Sequence, residues 1–245
     1  ELKERMLFWK RNKYENRTVL DNISFSVKKG EAIGLIGKNG CGKSTLLRIM
    51  AGVINPDSGD LMYCIEGVDN ISPAVLSGRV AKRCFFEEKV GFVPQDNPLI
   101  EELSVRDNLR FWYAGKPGIK SIADILDEPL VETLNISSYL DKKVSALSGG
   151  MKKRVSIACA CGCHPEILIM DEPGASLDLM CKADIRKFIN DYKALGGMIV
   201  FSSHEDEEIA MADRMAVIAE GKLTELTRVL RGTELLDYIR SKSHE

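Results

Sequence analysis

The 245-residue sequence predicts an α/β fold: a mainly parallel sheet covered by helices, an antiparallel β subdomain and an inserted α-helical subdomain. Three observations predict it. The runs "EILIMDE", "GMIVFSS" and "RMAVIAEG" read as buried or half-buried strands and alternate with helical patterns such as "CKADIRKFINDYKAL" and "DEEIAMA". A further apolar strand runs directly into a glycine-rich loop that opens a helix. Between Pro98 and Pro165 the pattern is helical, without a convincing strand.

The elements follow in chain order. Across "TVLDNISFSVKKGEAIGLIGKNG" apolar and polar residues alternate and then run continuously apolar, which predicts an edge strand, a Lys-Lys-Gly turn and a buried strand. From Lys43, "KSTLLRIMAGV" places Leu46, Leu47, Ile49 and Met50 at helical spacing, with Gly52 as the stop. Gly59 to Val93 holds short strand-like runs broken by Gly, Asp, Asn and Pro, read as antiparallel strands with a loose loop near Ser72 to Arg79. "SVRDNLRFWYAG", "IADILDEPLVETL" and "KKRVSIACACG" then read as the helices of a subdomain spanning about 98–165, inserted in a single domain of residues 1–245.

Composition narrows the function classes. With 44% hydrophobic and 29% charged residues the chain is ordinary for a soluble globular protein. A net charge of −2 and a pI near 6.1 create no global field toward nucleic acid or an anionic membrane, so no nucleic-acid partner is expected. The seven cysteines are irregularly spaced and "ELKERMLFWK" lacks an apolar signal core, which favours reduced thiols and a cytoplasmic setting. No apolar run reaches the roughly 18 residues that cross a bilayer. If a membrane is involved, another polypeptide spans it.

The chemistry begins at "GKNGCGKST", residues Gly37, Lys38, Asn39, Gly40, Cys41, Gly42, Lys43, Ser44 and Thr45. Gly37, Gly42, Lys43 and Ser44 fit the phosphate-loop pattern, in which glycines turn backbone amides onto a phosphate chain, lysine reaches the terminal phosphates and serine takes a Mg²⁺ position. The bland alternative is a flexible glycine turn, but strand and helix stand where the pattern requires them. A second Mg²⁺ carboxylate is expected at the end of another buried strand, and "ILIMDE" supplies Asp171. Glu172 follows as the candidate base that polarises the attacking water.

"LSGGM", Leu147 to Met151, shortly precedes "ILIMDEPGASLD", with "VPQD" upstream and "FSSHE" downstream. Together these motifs resemble the nucleotide-binding subunit of ABC transporters, a P-loop NTPase family, over nearly the whole chain. The resemblance implies ATP and Mg²⁺ as ligands and a sandwich of two ATPase subunits, identical or related. Each subunit offers its glycine loop to one nucleotide and Ser148, Gly149 and Gly150 to the other. Their place before a helical pattern suits an anion. The resemblance further makes Tyr14 the aromatic on adenine, Gln95 the residue at Mg²⁺ or the water, Asp178 the contact across the dimer and His204 the switch at the γ-phosphate. It implies a separate integral membrane permease, a place at the inner face of the cell membrane, and transport, with Met151 in place of the commoner Gln pointing to export.

Two departures stand out. Cys41 occupies a position usually held by Ser or Ala, and its alkylation is expected to block ATP binding. Gly174 replaces the usual Thr, which is expected to loosen the following turn. Other signals are discounted. In "CACGCH" residues i and i+2 of a helix point about 200° apart, against a shared metal site. "MKKR" reads as a solvated helix face. In "FWYAG" at least one ring is expected to be exposed, and Trp112 or Tyr113 is the candidate contact to a permease. Two rival functions are a soluble ABC ATPase working away from membranes, as in cofactor assembly, and a nucleotide-binding module without turnover. The latter is disfavoured by the presence of Glu172, His204 and Gln95.

Overall fold

A computed structural model describes residues 18–59, 61–63, 74–75, 88–116, 118–226 and 228–242. Its main sheet has six strands in the order β4-β5-β6-β1-β7-β8. These are β1 (Ala32–Ile36), β4 (Val90–Val93), β5 (Ile167–Asp171), β6 (Met198–Ser202), β7 (Arg214–Ala219) and β8 (Lys222–Leu226). All neighbours run parallel except β7 and β8, so the sheet is mixed but mainly parallel, as predicted. β2 (Met62–Tyr63) and β3 (Ala74–Val75) form a separate antiparallel pair.

The period of two along each strand divides the core between the sheet faces. Ile33, Leu35, Ile169, Val200, Ala216 and Ile218 face one way, onto Leu46 and Leu47 of helix α1 (Lys43–Met50). Their neighbours Ala32, Ile36, Leu168, Met170, Ile199, Phe201, Met215 and Val217 face the other way. There they meet residues of the helices α5 (Gly149–Ala160) and α6 (Leu179–Ala194). A strand covered on both faces must be apolar throughout, which is why β1 and β6 are buried at every position.

Helices α2 (Val105–Tyr113), α3 (Ile122–Leu126) and α4 (Pro129–Glu132) fill the region read as helical. The predicted run "IADILDEPLVETL" divides in two because the residue before a proline is pushed out of helical geometry: Glu128 is extended and Pro129 opens the next helix.

Several expectations are corrected. No strand is assigned over Thr18–Val27; Ile23, Phe25 and Val27 pack toward the core while Ser24 and Ser26 are exposed, so the alternation survives without a ladder. Alternation sets which face is buried; a ladder also needs a partner strand. Val90–Val93 pairs in parallel with β5 instead of joining antiparallel strands, and Ala74–Val75 within the expected loose loop is paired. The reading missed β8 and α8 (Gly232–Ser241). Glu220 and Gly221 both have positive φ and join β7 to β8 as a two-residue hairpin loop, for which "EG" between apolar runs was the available signal.

The registers bring the strand ends level. Asp171 lies opposite Ser202, and Ser202 opposite Leu35, so the C-terminal ends of β5, β6 and β1 open at one edge. Open parallel sheets bind ligands outside that edge.

Candidate active site

Beyond β1, the chain folds so tightly that a Cβ on Gly37 would lie 2.4 Å from the Ile218 carbonyl oxygen and 2.6 Å from Cys41 Sγ. Gly42, with φ 111°, sits at the N-cap of α1, where an L side chain is strained. Among the described residues no side chain caps this helix, which leaves first-turn amides for an anion or water. Lys43 is buried and its Nζ donates to the carbonyls of Gly37 at 2.7 Å and Lys38 at 3.3 Å. Lys38, Asn39 and Gly40 are exposed at the rim; Cys41, Ser44 and Thr45 are half-buried.

The carboxylates follow from the end of β5. Asp171 is buried and its Oδ1 accepts from Ser202 Oγ at 2.7 Å; the same Oγ accepts from the Glu172 amide at 2.9 Å. One hydroxyl thus orients both acids, a role that the run "FSS" does not reveal by itself. Glu172 has φ 47°, an uncommon conformation for a side-chain-bearing residue. Its side chain gathers the other predicted groups: Gln95 Nε2 donates to Oε2 at 3.2 Å, and His204 Nε2 lies 3.2 Å from Oε1. Burial lowers the His204 pKa from its ordinary 6.5, and the Lys43 charge lowers it further against the pull of Glu172. The imidazole is therefore held toward its neutral form.

Behind Gln95 stands a residue the sequence misassigned. "MKKR" was expected to be a solvated face, yet Lys153 is only 3% exposed and its Nζ donates to the carbonyls of Pro94 and Gln95, each at 3.0 Å. Arg154 pairs with Asp184 at 2.6 Å. The helix carrying them is wrapped by its neighbours, so even its cations turn inward to partners. Burial lowers the Lys153 pKa, countered by Asp171, Asp96 and Glu208.

The second predicted cluster lies at the start of α5. Ser148 is its N-cap and Oγ accepts from the Met151 amide at 3.3 Å; Ser148 and Gly149 are exposed. Gly150 is buried against Cys181, whose Sγ would be 2.9 Å from an added Cβ and donates to the Gly150 carbonyl at 3.4 Å. The Cys181 amide donates to Asp178 Oδ1 at 2.8 Å. Cys181 thereby ties the Ser148–Gly150 turn to Asp178. Tyr14 lies outside the described residues.

The aromatic run has exposed rings, as expected, and keeps only one of the two candidate contacts, Trp112. Tyr113 is 2% exposed and donates its hydroxyl to the Ala158 carbonyl at 3.1 Å, so it is core and not a candidate contact. Phe111 and Trp112, at 62% and 41% exposure, meet edge to face on the surface. In "CACGCH", Cys159 and Cys161 are buried in the larger core, where burial pushes the Cys159 thiol far up.

The donor chemistry suits Mg·ATP. Asp171, Ser44 and Gln95 carry hard oxygen donors of the kind magnesium takes. The tight curl of the glycine loop admits no side chain at Gly37 or Gly42, where a Cβ would collide with the Ile218 carbonyl, Cys41 and Leu20.

Residues 20–175 match the family model described as ABC transporter. The chain is 37% identical over 212 residues, 85% of its length, to the Nod factor export ATP-binding protein I of Paraburkholderia xenovorans (strain LB400). It is 29% identical over 87% of its length to the Fe(3+) ions import ATP-binding protein FbpC of Fusobacterium nucleatum. It spans 66% and 55% of the lengths of these two relatives. Among solved structures, the dimeric bacterial ABC transporter cassette MJ0796 superposes with a TM-score of 0.75 at 25% identity, covering 90% of this chain and 94% of that one. With its fold, its strand-end residues and this match in agreement, the chain belongs to the ABC transporter family.

Proposed function

We propose that this chain is the ATP-binding and ATP-hydrolysing subunit of an ABC transporter and powers translocation, in the export direction, by a separate membrane subunit. The observation that carries the reading is the convergence of Gln95 and His204 on the Glu172 carboxylate, with the buried Lys43 charge acting on the same histidine. Higher identity to an export subunit than to an import subunit supports the direction. Among the described residues no helix is long and apolar enough to cross a membrane. A separate permease, and a place at the inner membrane face through it, are proposed from the family match.

Glu172 serves as the base that polarises the attacking water, which Gln95 and His204 orient. Lys43 supplies a point charge for the terminal phosphates, and the uncapped start of α1 supplies amides. Magnesium, when bound, neutralises charge on the phosphate oxygens, and Asp171, Ser44 and Gln95 are its proposed holders. Chemistry of this class rests on positioning and electrostatics. The dimeric cassette supports a second ATPase subunit, identical or related, that offers Ser148, Gly149 and Gly150 to the nucleotide of the first, with Asp178 beside them. Tyr14 is the proposed adenine contact. Residues 98–165 form the proposed helical subdomain, and its exposed Phe111 and Trp112 the surface toward the permease.

Phosphate release by the purified chain tests the reading. Glu172→Gln is expected to keep nucleotide binding while turnover falls by about 10²–10⁴. Parental turnover in that variant removes Glu172 from its role. An inactive parental chain, folded and supplied with its permease, removes hydrolysis itself.

A further inference from the structure

Resting on the hydrolytic reading, we propose that Glu208 is a positioning residue: its carboxyl, seated in the space Gly174 leaves open, sets the spacing between the loop that starts at Glu172 and the turn that carries His204. The two segments leave β5 and β6 level with each other, at the Asp171–Ser202 pair, but level starts do not determine how loops diverge.

The contact that fixes them is specific. Gly174 is buried, and a Cβ there would lie 1.8 Å from Glu208 Oε1 and 2.9 Å from its Cδ. Its φ is not in the left-handed region, so what a side chain here would meet is the Glu208 carboxyl and not backbone strain. The departure that was expected to loosen the turn is filled by a neighbour. Glu208, 3% exposed, accepts from Ser203 Oγ through its other oxygen. Ser203 Oγ in turn accepts from the Glu205 amide at 3.0 Å, and the Ser203 amide donates to the Leu35 carbonyl at 3.3 Å. The carboxyl therefore touches the Glu172 loop on one side and braces the backbone on both sides of His204 on the other.

The segment bearing Glu208 is itself anchored. Its one-turn helix α7 (Asp206–Ile209) follows Glu205, which pairs with Lys182 of α6 at 2.7 Å; Arg186 of α6 pairs with Glu207. Burial raises the Glu208 pKa, and Glu205 adds to the rise, while the Ser203 bond and the Lys182 and Arg186 charges oppose it. The shift favours the neutral acid, for which glutamine is a close substitute in size and hydrogen bonding.

The test compares the parent with Glu208→Ala, Gly174→Ala, their double variant and Glu208→Gln. Read-outs are kcat at saturating Mg·ATP, affinity for a fluorescent ATP analogue, melting temperature, and amide hydrogen exchange over residues 172–178 and 203–209. Glu208→Ala and Gly174→Ala are each expected to lower kcat by about tenfold or more with analogue affinity kept, the scale of a small displacement of a reacting group. In the double variant the new methyl no longer meets a carboxyl, so its loss equals that of Glu208→Ala alone. Glu208→Gln is expected to keep most of the parental kcat, and Glu208→Ala to speed exchange in both segments together. Parental kcat in Glu208→Ala, losses that multiply in the double variant, or a Glu208→Gln defect equal to Glu208→Ala overturns the proposal. Should the parent hydrolyse no ATP, the hydrolytic reading fails by itself, and exchange decides the spacing role: acceleration in one segment alone, or in neither, overturns it.

Discussion

The helices that open at Lys43 and at Gly149 both begin among glycines, and both are proposed to meet phosphate, yet they are finished in different ways. At the first, no side chain caps the helix, the lysine is folded onto the carbonyls of its own loop, and the glycines are forced by backbone and thiol contacts at Gly37 and by positive φ at Gly42. At the second, Ser148 caps the helix with an oxygen that accepts from Met151, Cys181 holds the turn from behind through the Gly150 carbonyl, and Arg154 further along the helix pairs with Asp184. A backbone cradle with a built-in cation can take a phosphate chain alone. A capped, exposed serine offers far less by itself, in keeping with the proposal that it completes a site whose remainder lies on a second subunit. The difference teaches which end binds and which end closes.

Lys43→Met strikes the binding end: loss of the buried lysine charge is expected to weaken ATP binding and cut hydrolysis by about 10²–10³, comparable to losing one key electrostatic donor. Equilibrium binding of nucleotide to the variant checks it, and unchanged affinity breaks the comparison. Gly150→Ala strikes the closing end. The new methyl meets Cys181 at 2.9 Å, and overpacking of this kind costs about 1–3 kcal/mol. Turnover should fall while nucleotide affinity of the isolated chain holds, so titration alongside a phosphate assay separates the two ends.

How far the sequence revealed these ends differs for physical reasons. The glycine loop, Asp171 and Glu172 were legible because a local strand–loop–helix order and a run of apolar residues ending in acids are one-dimensional signals. Ser202 and Lys153 were not. Ser202 matters only because register sets it opposite Asp171, and Lys153 is buried only because its helix is covered by others. Trp112 and Tyr113 stayed alternatives for the same reason: three consecutive aromatics imply that at least one is exposed, and packing alone decides which. The β7–β8 hairpin had a local signal that went unused.

Acid sharpens the comparison at the binding end. Because burial and Lys43 hold the His204 pKa below 6.5, the imidazole is neutral at pH 7 and gains a proton only as pH falls beneath 6.5. Hydrolysis, and the stability contributed by the neutral form, should both decline on that acid side, and His204→Asn should remove this limb of the pH–rate profile. Base acts at the closing end with the smallest effect. Burial pushes the Tyr139 phenol, close to Arg154 and Cys181, up to about 12 from its ordinary 10. Its contribution to stability is complete below pH 10 and lost as pH rises through 12. Urea unfolding at pH 7 and at pH 12 should show a loss on the order of 1 kcal/mol, reduced by solvent screening, that Tyr139→Phe lacks.

The central claim is that a triphosphate held by Lys43 and its loop in one subunit is closed over by the serine–glycine turn of another. The molar mass of the chain by sedimentation or light scattering, measured in saturating Mg·ATP together with its turnover, tests this most directly. The account predicts that the protein associates into dimers whenever it is catalytically competent, and that Glu172→Gln accumulates them. A chain that hydrolyses ATP at full rate while remaining a monomer contradicts it.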